Sequence, residues 1–563
     1  MRRNKNSWNR QKEIPYGVEK VVRQSLLYSC KLRKGDFDKP WIGVITQAHA
    51  LHPGEYHLTR VARAIAEVLR KEGAVPVLFN VPGHCDGIIA PKQEYIFAQR
   101  NLIVDCIEVI AESYFLDGLI LLASCDKNVP AALMAAGRLD LPTVMVTGGV
   151  MPLGQLSDGR AITIDDVNQI VGKSLAGKVG EREENQIIKS ACPGRGACPI
   201  MTTGTTMQIV AEALGMSLPL NATVVGESRE LFQIGSEAAK CVLDLWERQI
   251  TARQIITLSS IKNAIKVCLA VGGSMHALYH IPAVGLEAGI DVDYWSLFDE
   301  YSHEVPVLVG IKPNGPFSVH DFNQAGGVPA VVATLHEFLD LQSLTIMGKP
   351  IGEYVHFAKF IDRNVIRPLD NPWSRFSGLA VLKGNLADAA VVRTAGVKAS
   401  MMRFEAPCKV FNDLDSARRW LREVRPREPI ALIIRYQGLK GGPGIRSLLK
   451  LSAEVIGMGL EDNVAIVTDG RFSGGARGLC VGLVTPEAAD GGNIAVVEER
   501  DVISIDIGQR SINIRISETE LEKRRRLLPK EIIAKETSSP FLRSFLALVQ
   551  PLPRGGITGV WQR

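Results

Sequence analysis

Between residues 38 and 150, short apolar runs alternate with stretches whose apolar residues recur every three or four positions. Residues 41–45, 75–79, 117–123 and 142–147 read as buried strands, and residues 58–71, 94–114 and 130–137 as helices. Strands apolar along most of their length and separated by helices predict a parallel sheet covered on both faces. Ligands of such sheets sit beyond the carboxyl ends of the strands, and Cys125-Asp126-Lys127 directly follows one. Residues 205–345 are mainly helical, most clearly over 206–214, 236–247 and 260–269. Beyond about residue 375 the texture changes. Segments 379–382, 430–434, 464–467, 494–497 and 503–507 are predicted strands, most of them separated by Gly-rich turns. The expected fold class is therefore α/β. An N-terminal doubly wound parallel sheet with helical elaborations fills residues 1–375, and a β-rich, barrel-like domain fills 376–563. The linker is placed near 368–377.

Composition narrows the function classes. The chain has 563 residues, 46% hydrophobic and 22% charged, the balance of a globular protein too long for one core. Its 65 basic and 60 acidic residues leave a net charge of only +5, which gives nucleic-acid binding little support. No apolar run is long enough for a membrane span, and the basic opening stretch has no apolar segment behind it, unlike a secretory signal. The ten cysteines are scattered without short repeated spacings. That pattern argues against a disulfide framework and for a reducing, cytoplasmic setting.

Several motifs fail on inspection. Gly172-Lys-Ser lacks the upstream glycine of a phosphate loop, since Val167 stands there. His303-Glu304 and His336-Glu337 lack a second histidine, and no strand leads into GxGxxG. The run from Lys523 to Arg526 reads as a solvated helix face. Three segments carry chemistry instead. Cys125-Asp126-Lys127 offers a thiol for iron–sulfur or zinc and a carboxylate for a hard ion such as magnesium, or else a buried cysteine beside an ion pair. Cys192 and Cys198 lie on a Gly/Pro loop ahead of the Thr-rich stretch 202–206. Ser473, in TDGRFSGG after a strand, is either part of a tight turn or an exposed hydroxyl able to move a proton.

SCDKNVPAALMAAGR, ACPGRGACPIMTTGTTM, AEALGMSLP, AGGVPAV, VIRPLDNP, GLAVLKGNLA, RYQGLKGGPG and TDGRFSGGARG occur in this order. Together they resemble the dihydroxy-acid dehydratase / phosphogluconate dehydratase family, from about residue 15 to 550. The resemblance implies a hydro-lyase that converts a small 2,3-dihydroxy or sugar acid to a 2-oxo acid, as in branched-chain amino-acid biosynthesis. It implies a homodimer or dimer of dimers, a [2Fe-2S] cluster held by Cys125 and Cys198 with a third cysteine, and Mg2+ at Asp126 and a carbamylated Lys127. Ser473 would be the base that removes the C2 proton.

The departures fall at the chemistry. Gly54 stands where the first cluster cysteine belongs, and Ser447 where a magnesium-site glutamate belongs. Residues 86–94 hold no clean equivalent of another such glutamate. His276 replaces an asparagine and Gln437 a glutamate. His52, Glu55, Cys85 and Glu94 are candidate substitutes, and His57 matches a family histidine with an orienting or structural role. The expectation is a metal site remodelled in one of two ways. It is either an active hydro-lyase or a degenerate paralogue, a non-enzymatic partner or repurposed enzyme that holds little iron.

Overall fold

The computed structural model describes residues 8–528 and 537–559; the basic opening stretch lies outside them as far as Ser7. Strands β1 (Trp41–Thr46), β2 (Val75–Asn80), β3 (Gly118–Ala123) and β4 (Thr143–Thr147) form a parallel sheet in the order β2-β1-β3-β4. β1, β3 and β4 are buried along their whole length, which is why they read as unbroken apolar runs. The helix Leu58–Lys71 buries Leu58, Val61, Ala62, Ile65, Ala66 and Leu69 on one stripe. With Arg229–Glu247 it covers one face of the sheet, while Glu94–Ser113 and Asn128–Leu139 pack together on the other. The fully buried helix Thr203–Ala213 and the mostly buried helix Leu258–Ala270 extend this core.

A short hairpin, β5 (Gly154–Gln155) and β6 (Ala161–Ile162), precedes the second sheet. That sheet comprises β7 (Ala380–Leu382), β8 (Ala389–Val392), β9 (Arg403–Phe411), β10 (Ile430–Ile434), β11 (Val464–Thr468), β12 (Leu479–Thr485), β13 (Val502–Asp506) and β14 (Ser511–Ile514). The order is β14-β13-β9-β10-β11-β12-β8-β7, with β9 to β12 parallel and the flanking strands antiparallel. A bridge between Lys383 and Ser511 draws the two edges together, so the sheet is nearly closed into a barrel. Inside it lie Leu382, Val392, Phe404, Ile433, Val467 and Ile505. Segment 494–497 corrects the sequence reading. It is a 3-10 turn, Asn493–Val496, launched from Gly491 and Gly492, and its apolar side chains plug the barrel core. A short, wholly apolar run fits a buried turn as well as a buried strand.

The two units meet along a seam. Helix Ile164–Leu175 crosses Leu449–Met458 at Gly172 and Gly457, where a Cβ on either glycine would press on the other's backbone. Arg477 pairs with Asp165 across the same seam. Segment 537–559 returns to the first unit, where the buried Arg100 donates to the carbonyls of Gly555 (2.5 Å) and Gly556 (3.0 Å). No helix among the described residues is long and apolar enough to cross a membrane.

Candidate active site

In the strand order β2-β1-β3-β4 the chain leaves β1 toward one edge and returns to β3 on the other side. The loops after β1 and β3 therefore diverge and open a crevice at their carboxyl ends. Loop 47–57 enters it from β1, loop 81–93 from β2 and Ser124 to Lys127 from β3. The turn after β11, from Asp469 to Ser473, closes over it from the second unit.

Lys127 is fully buried, with its amine 2.5 Å from Asp126 Oδ1 and 3.4 Å from Asp86 Oδ2. Arg471, also buried, lies 3.5 Å from Asp86 Oδ2 and 4.0 Å from Asp126 Oδ2. On the far side of Asp126 stand His276 Nδ1 at 3.3 Å and His280 Nε2 at 3.5 Å. Arginine donates and cannot accept, so its contacts set the tautomers. Arg471 donates to His276 Nε2 (3.3 Å), which leaves the proton on Nδ1, facing Asp126 and Thr203. Arg100 donates to His280 Nδ1 (3.2 Å), which leaves the proton on Nε2. Burial pushes His276 down to about 3 and His280 well below its ordinary value, so both rings are neutral. Burial opposes ionisation of Asp126 as well, but Lys127 and His276 outweigh it and hold that carboxyl well below its usual range. Burial, then the Asp126 charge, pushes Asp86 up to about 7. Burial also lowers the Lys127 amine, against the pull of both acids.

This set fits a divalent cation. Asp86 Oδ1 is buried and lacks a hydrogen-bond partner. Asp126, His276 and His280 bring side-chain atoms within 4.8 Å of one another, with both rings turning an N–H toward Asp126, so that either ring would have to change tautomer to ligate. Two carboxylates facing one another suit a hard ion such as magnesium.

The thiols lie next to it. Cys85 and Cys125 are near enough for each thiol to shift the other's ionisation, and Cys198 feels the charges of Cys85, Cys192 and Asp126. The loop bearing Cys192 and Cys198 is laid over the exit of β4, with Ala197 paired to Val150 and Gly196 N donating to Pro53 O. Position 54 faces the same place, since a Cβ on Gly54 would lie 2.8 Å from Cys125 Sγ. Soft thiol donors converging in this way fit an iron–sulfur cluster. The expected pair Cys125 and Cys198 thus gains a third neighbour, Cys85.

The other candidates sort out as follows. Glu55 Oε1 accepts from the backbone of Ser124 (2.8 Å) and Cys125 (3.3 Å) and from Asn128 Nδ2 (2.8 Å), holding the turn into the helix after β3. His52 Nε2 is occupied by Asn128 Nδ2 at 3.0 Å. His57 Nε2 meets the Gly148 carbonyl at 2.9 Å and so fixes the exit of β4. Glu94 opens its helix and sits 3.9 Å from Arg446, apart from the Asp126 group. Ser447 pairs its backbone with Arg471 and donates its N–H to Gln93 Oε1 at 2.6 Å. Ser473 is half-buried two residues beyond Arg471, and the next residue, Gly474, lies against Met201 and Thr202. The serine turn is thereby held against the segment that follows Cys198.

Sequence reasoning missed Asp86, His276 as a neighbour of Asp126, His280 and Arg471. Position beyond the carboxyl end of β2 was the one signal that pointed to Asp86.

Residues 39–354 match the family described as dihydroxy-acid/6-phosphogluconate dehydratase N-terminal, and residues 364–556 match its C-terminal counterpart. A dihydroxy-acid dehydratase of Caldanaerobacter subterraneus is 39% identical over 516 residues, 91% of this chain and 92% of the relative. The enzyme of that name from Nitratidesulfovibrio vulgaris is 38% identical over 97% of this chain and 99% of its own length. The one from Thermodesulfovibrio yellowstonii is 40% identical over 92% and 94%. Such relatives give a non-enzymatic partner subunit no support. The chain belongs to the dihydroxy-acid/6-phosphogluconate dehydratase family.

Proposed function

We propose that this protein is a hydro-lyase that removes water from a 2,3-dihydroxy acid or sugar acid to give the 2-oxo acid. One observation carries the reading: a thiol group and an acid–lysine–imidazole group share the crevice at the switch point, and the Ser473 turn closes over both. A [2Fe-2S] cluster on Cys125, Cys198 and a third thiolate, with a divalent cation at Asp86, Asp126 and Lys127 once carbamylated, would supply Lewis acidity toward the substrate's hydroxyl and carboxylate oxygens. The chain's own groups do the rest. Arg471 keeps positive charge beside the acid site, where a substrate carboxylate docks. Ser473 accepts the proton from C2 while hydroxide departs from C3. The C2–H and C3–O bonds break, a C2–C3 double bond forms, and the enol takes up a proton at C3 to become the 2-oxo acid. Positive charge from Arg471 favours the serine alkoxide that this role needs.

Beside the seam opens a cavity of about 750 Å³ lined by Gln93, Arg435, Tyr436, Gln437, Arg446 and Lys450 among others. Asp413 and Asp415 line it beside Arg418, Arg435, Arg446 and Lys450, and neither the thiols nor the Asp126 group does. The test is 2-oxo acid formation from a panel of 2,3-dihydroxy acids and aldonic acids, with protein reconstituted anaerobically with iron, sulfide and a divalent cation. Turnover of one class identifies the substrate, and no turnover across the panel refutes the reading.

A further inference from the structure

The crevice holds a thiol in excess of the pair expected, and the position that should bear a cysteine is bare. These two facts share one location. Gly54 faces Cys125 Sγ so closely that a Cβ there would lie 2.8 Å from it and 3.2 Å from His52 Cε1. Cys85 enters the same neighbourhood from the loop after β2, where the adjacent Asp86 reaches Lys127, two residues beyond Cys125, at 3.4 Å, and the Cys85 and Cys125 thiols influence each other's ionisation. We propose that Cys85 supplies the third thiolate of an iron–sulfur cluster, with Cys125 and Cys198, in place of the side chain that Gly54 lacks. This inference rests on the reading of the crevice given above.

Three features favour Cys85 over its rivals. Its backbone is anchored, because its carbonyl accepts from Ile88 N (3.0 Å) and Ile89 N (3.2 Å) in a tight turn. The next residue, Asp86, is held by Lys127 and Arg471, so the thiol cannot swing away without breaking those pairs. His52 Nε2 accepts from Asn128 Nδ2, which leaves the ring proton on Nδ1, the nitrogen that faces Gly54, and Glu55 is held through Oε1 by Asn128 and the turn after β3, with its Oε2 unpartnered. Cys192 is exposed, on the outer arm of its loop. Glycine at 54 then has a physical reason. With a thiol arriving from residue 85, a side chain at 54 would crowd the sulfur of Cys125. Each cysteine that binds gives up its thiol proton and presents a thiolate to iron. No other residue is consumed, and the ligand type remains sulfur.

The experiment compares wild type, Cys85→Ser, Cys85→Ala and Cys192→Ser after anaerobic reconstitution. Iron, acid-labile sulfide, the visible spectrum and the electron paramagnetic resonance spectrum of the reduced protein are recorded, with circular dichroism as the check on folding. Wild type and Cys192→Ser are expected to hold about two irons and two sulfides per chain. Cys85→Ala is expected to lose most of its iron to a chelator that leaves wild type intact, and Cys85→Ser either to do the same or to show shifted bands. A second readout needs no variant. Alkylation followed by mass spectrometry should find Cys85, Cys125 and Cys198 protected in loaded protein and reactive once the cluster is stripped, with Cys192 reactive in both.

Wild type without iron and sulfide, a Cys85–Cys125 disulfide after reconstitution, Cys85 alkylated in loaded protein, or a fully loaded Cys85→Ala protein with an unchanged spectrum would each overturn the proposal. Dehydration by wild type while Cys85 is free would overturn the ligand assignment and leave the hydro-lyase reading standing. A Cys85-ligated cluster without turnover of any acid in the panel would do the reverse.

Discussion

Ser473 puts the clearest demand on a single side chain. Replacing it with alanine removes a hydroxyl from a half-buried turn and little volume, so the circular dichroism spectrum and melting temperature should be retained. The dehydration rate should fall by ~10²–10⁴-fold, the usual cost of a lost positioned base, and steady-state kinetics with the substrate found above checks it. A second residue, Glu212, makes a statement about pH. It is buried in the helix Thr203–Ala213, accepts from Leu220 N and Ala222 N, and burial pushes it up to about 8 from an ordinary 4.5. The folded state thus keeps a proton that the unfolded chain releases at lower pH. Its contribution to stability is complete below about pH 4.5 and is lost as pH rises toward 8. The melting temperature of Glu212→Gln protein should fall less between pH 5 and 8 than that of wild type. Legibility at this scale followed contiguity. Cys125, Asp126 and Lys127 stand in a row after a strand and could be picked out, whereas Asp86 and His280 come from separate elements and meet only when the sheet forms.

Among the elements, those of the first sheet were plain in the sequence because burial on both faces makes their strands apolar throughout. The barrel was harder. β9 alternates exposed and buried residues as far as Cys408, but its polar outer positions hid it among loops, and the run at 494–497 turned out to be a plug. Gly172 drew notice in the sequence only as part of a failed phosphate motif. Its use lies in packing, because with Gly457 it lets two helices touch backbone to backbone across the seam. Valine at 457 should push those helices apart at a cost of about 1–3 kcal/mol. The Ser473 turn and the first unit's loops would then lose register. A lower melting temperature together with a lower kcat is the expected result, and an unchanged kcat would uncouple the seam from the chemistry.

For the molecule as a whole, the resemblance implies a homodimer, with helices of residues 205–270 as first candidates for the contact. The structure makes Thr203–Ala213 a poor candidate, since that helix is buried within the subunit. The helix Val18–Ser29 instead exposes Val18, Val22 and Leu26 along one stripe and buries none of its residues. Exposed apolar stripes of this kind are commonly covered by a partner. The dimer is expected to use it, and Val22→Asp with Leu26→Asp should shift light scattering from two subunits to one. A wild-type monomer at micromolar concentration would count against the dimer itself.

Arg100 ties these scales to the order in which the chain is made. Its guanidinium is fully buried over Phe97, and its backbone acceptors, the carbonyls of Gly555 and Gly556, lie 455 and 456 residues further along the chain. Translation at ~5–20 residues per second leaves that cation without them for roughly 20–90 s. Throughout that interval the guanidinium that donates to His280 lacks two of its carbonyl acceptors, so the setting of that ring is completed late.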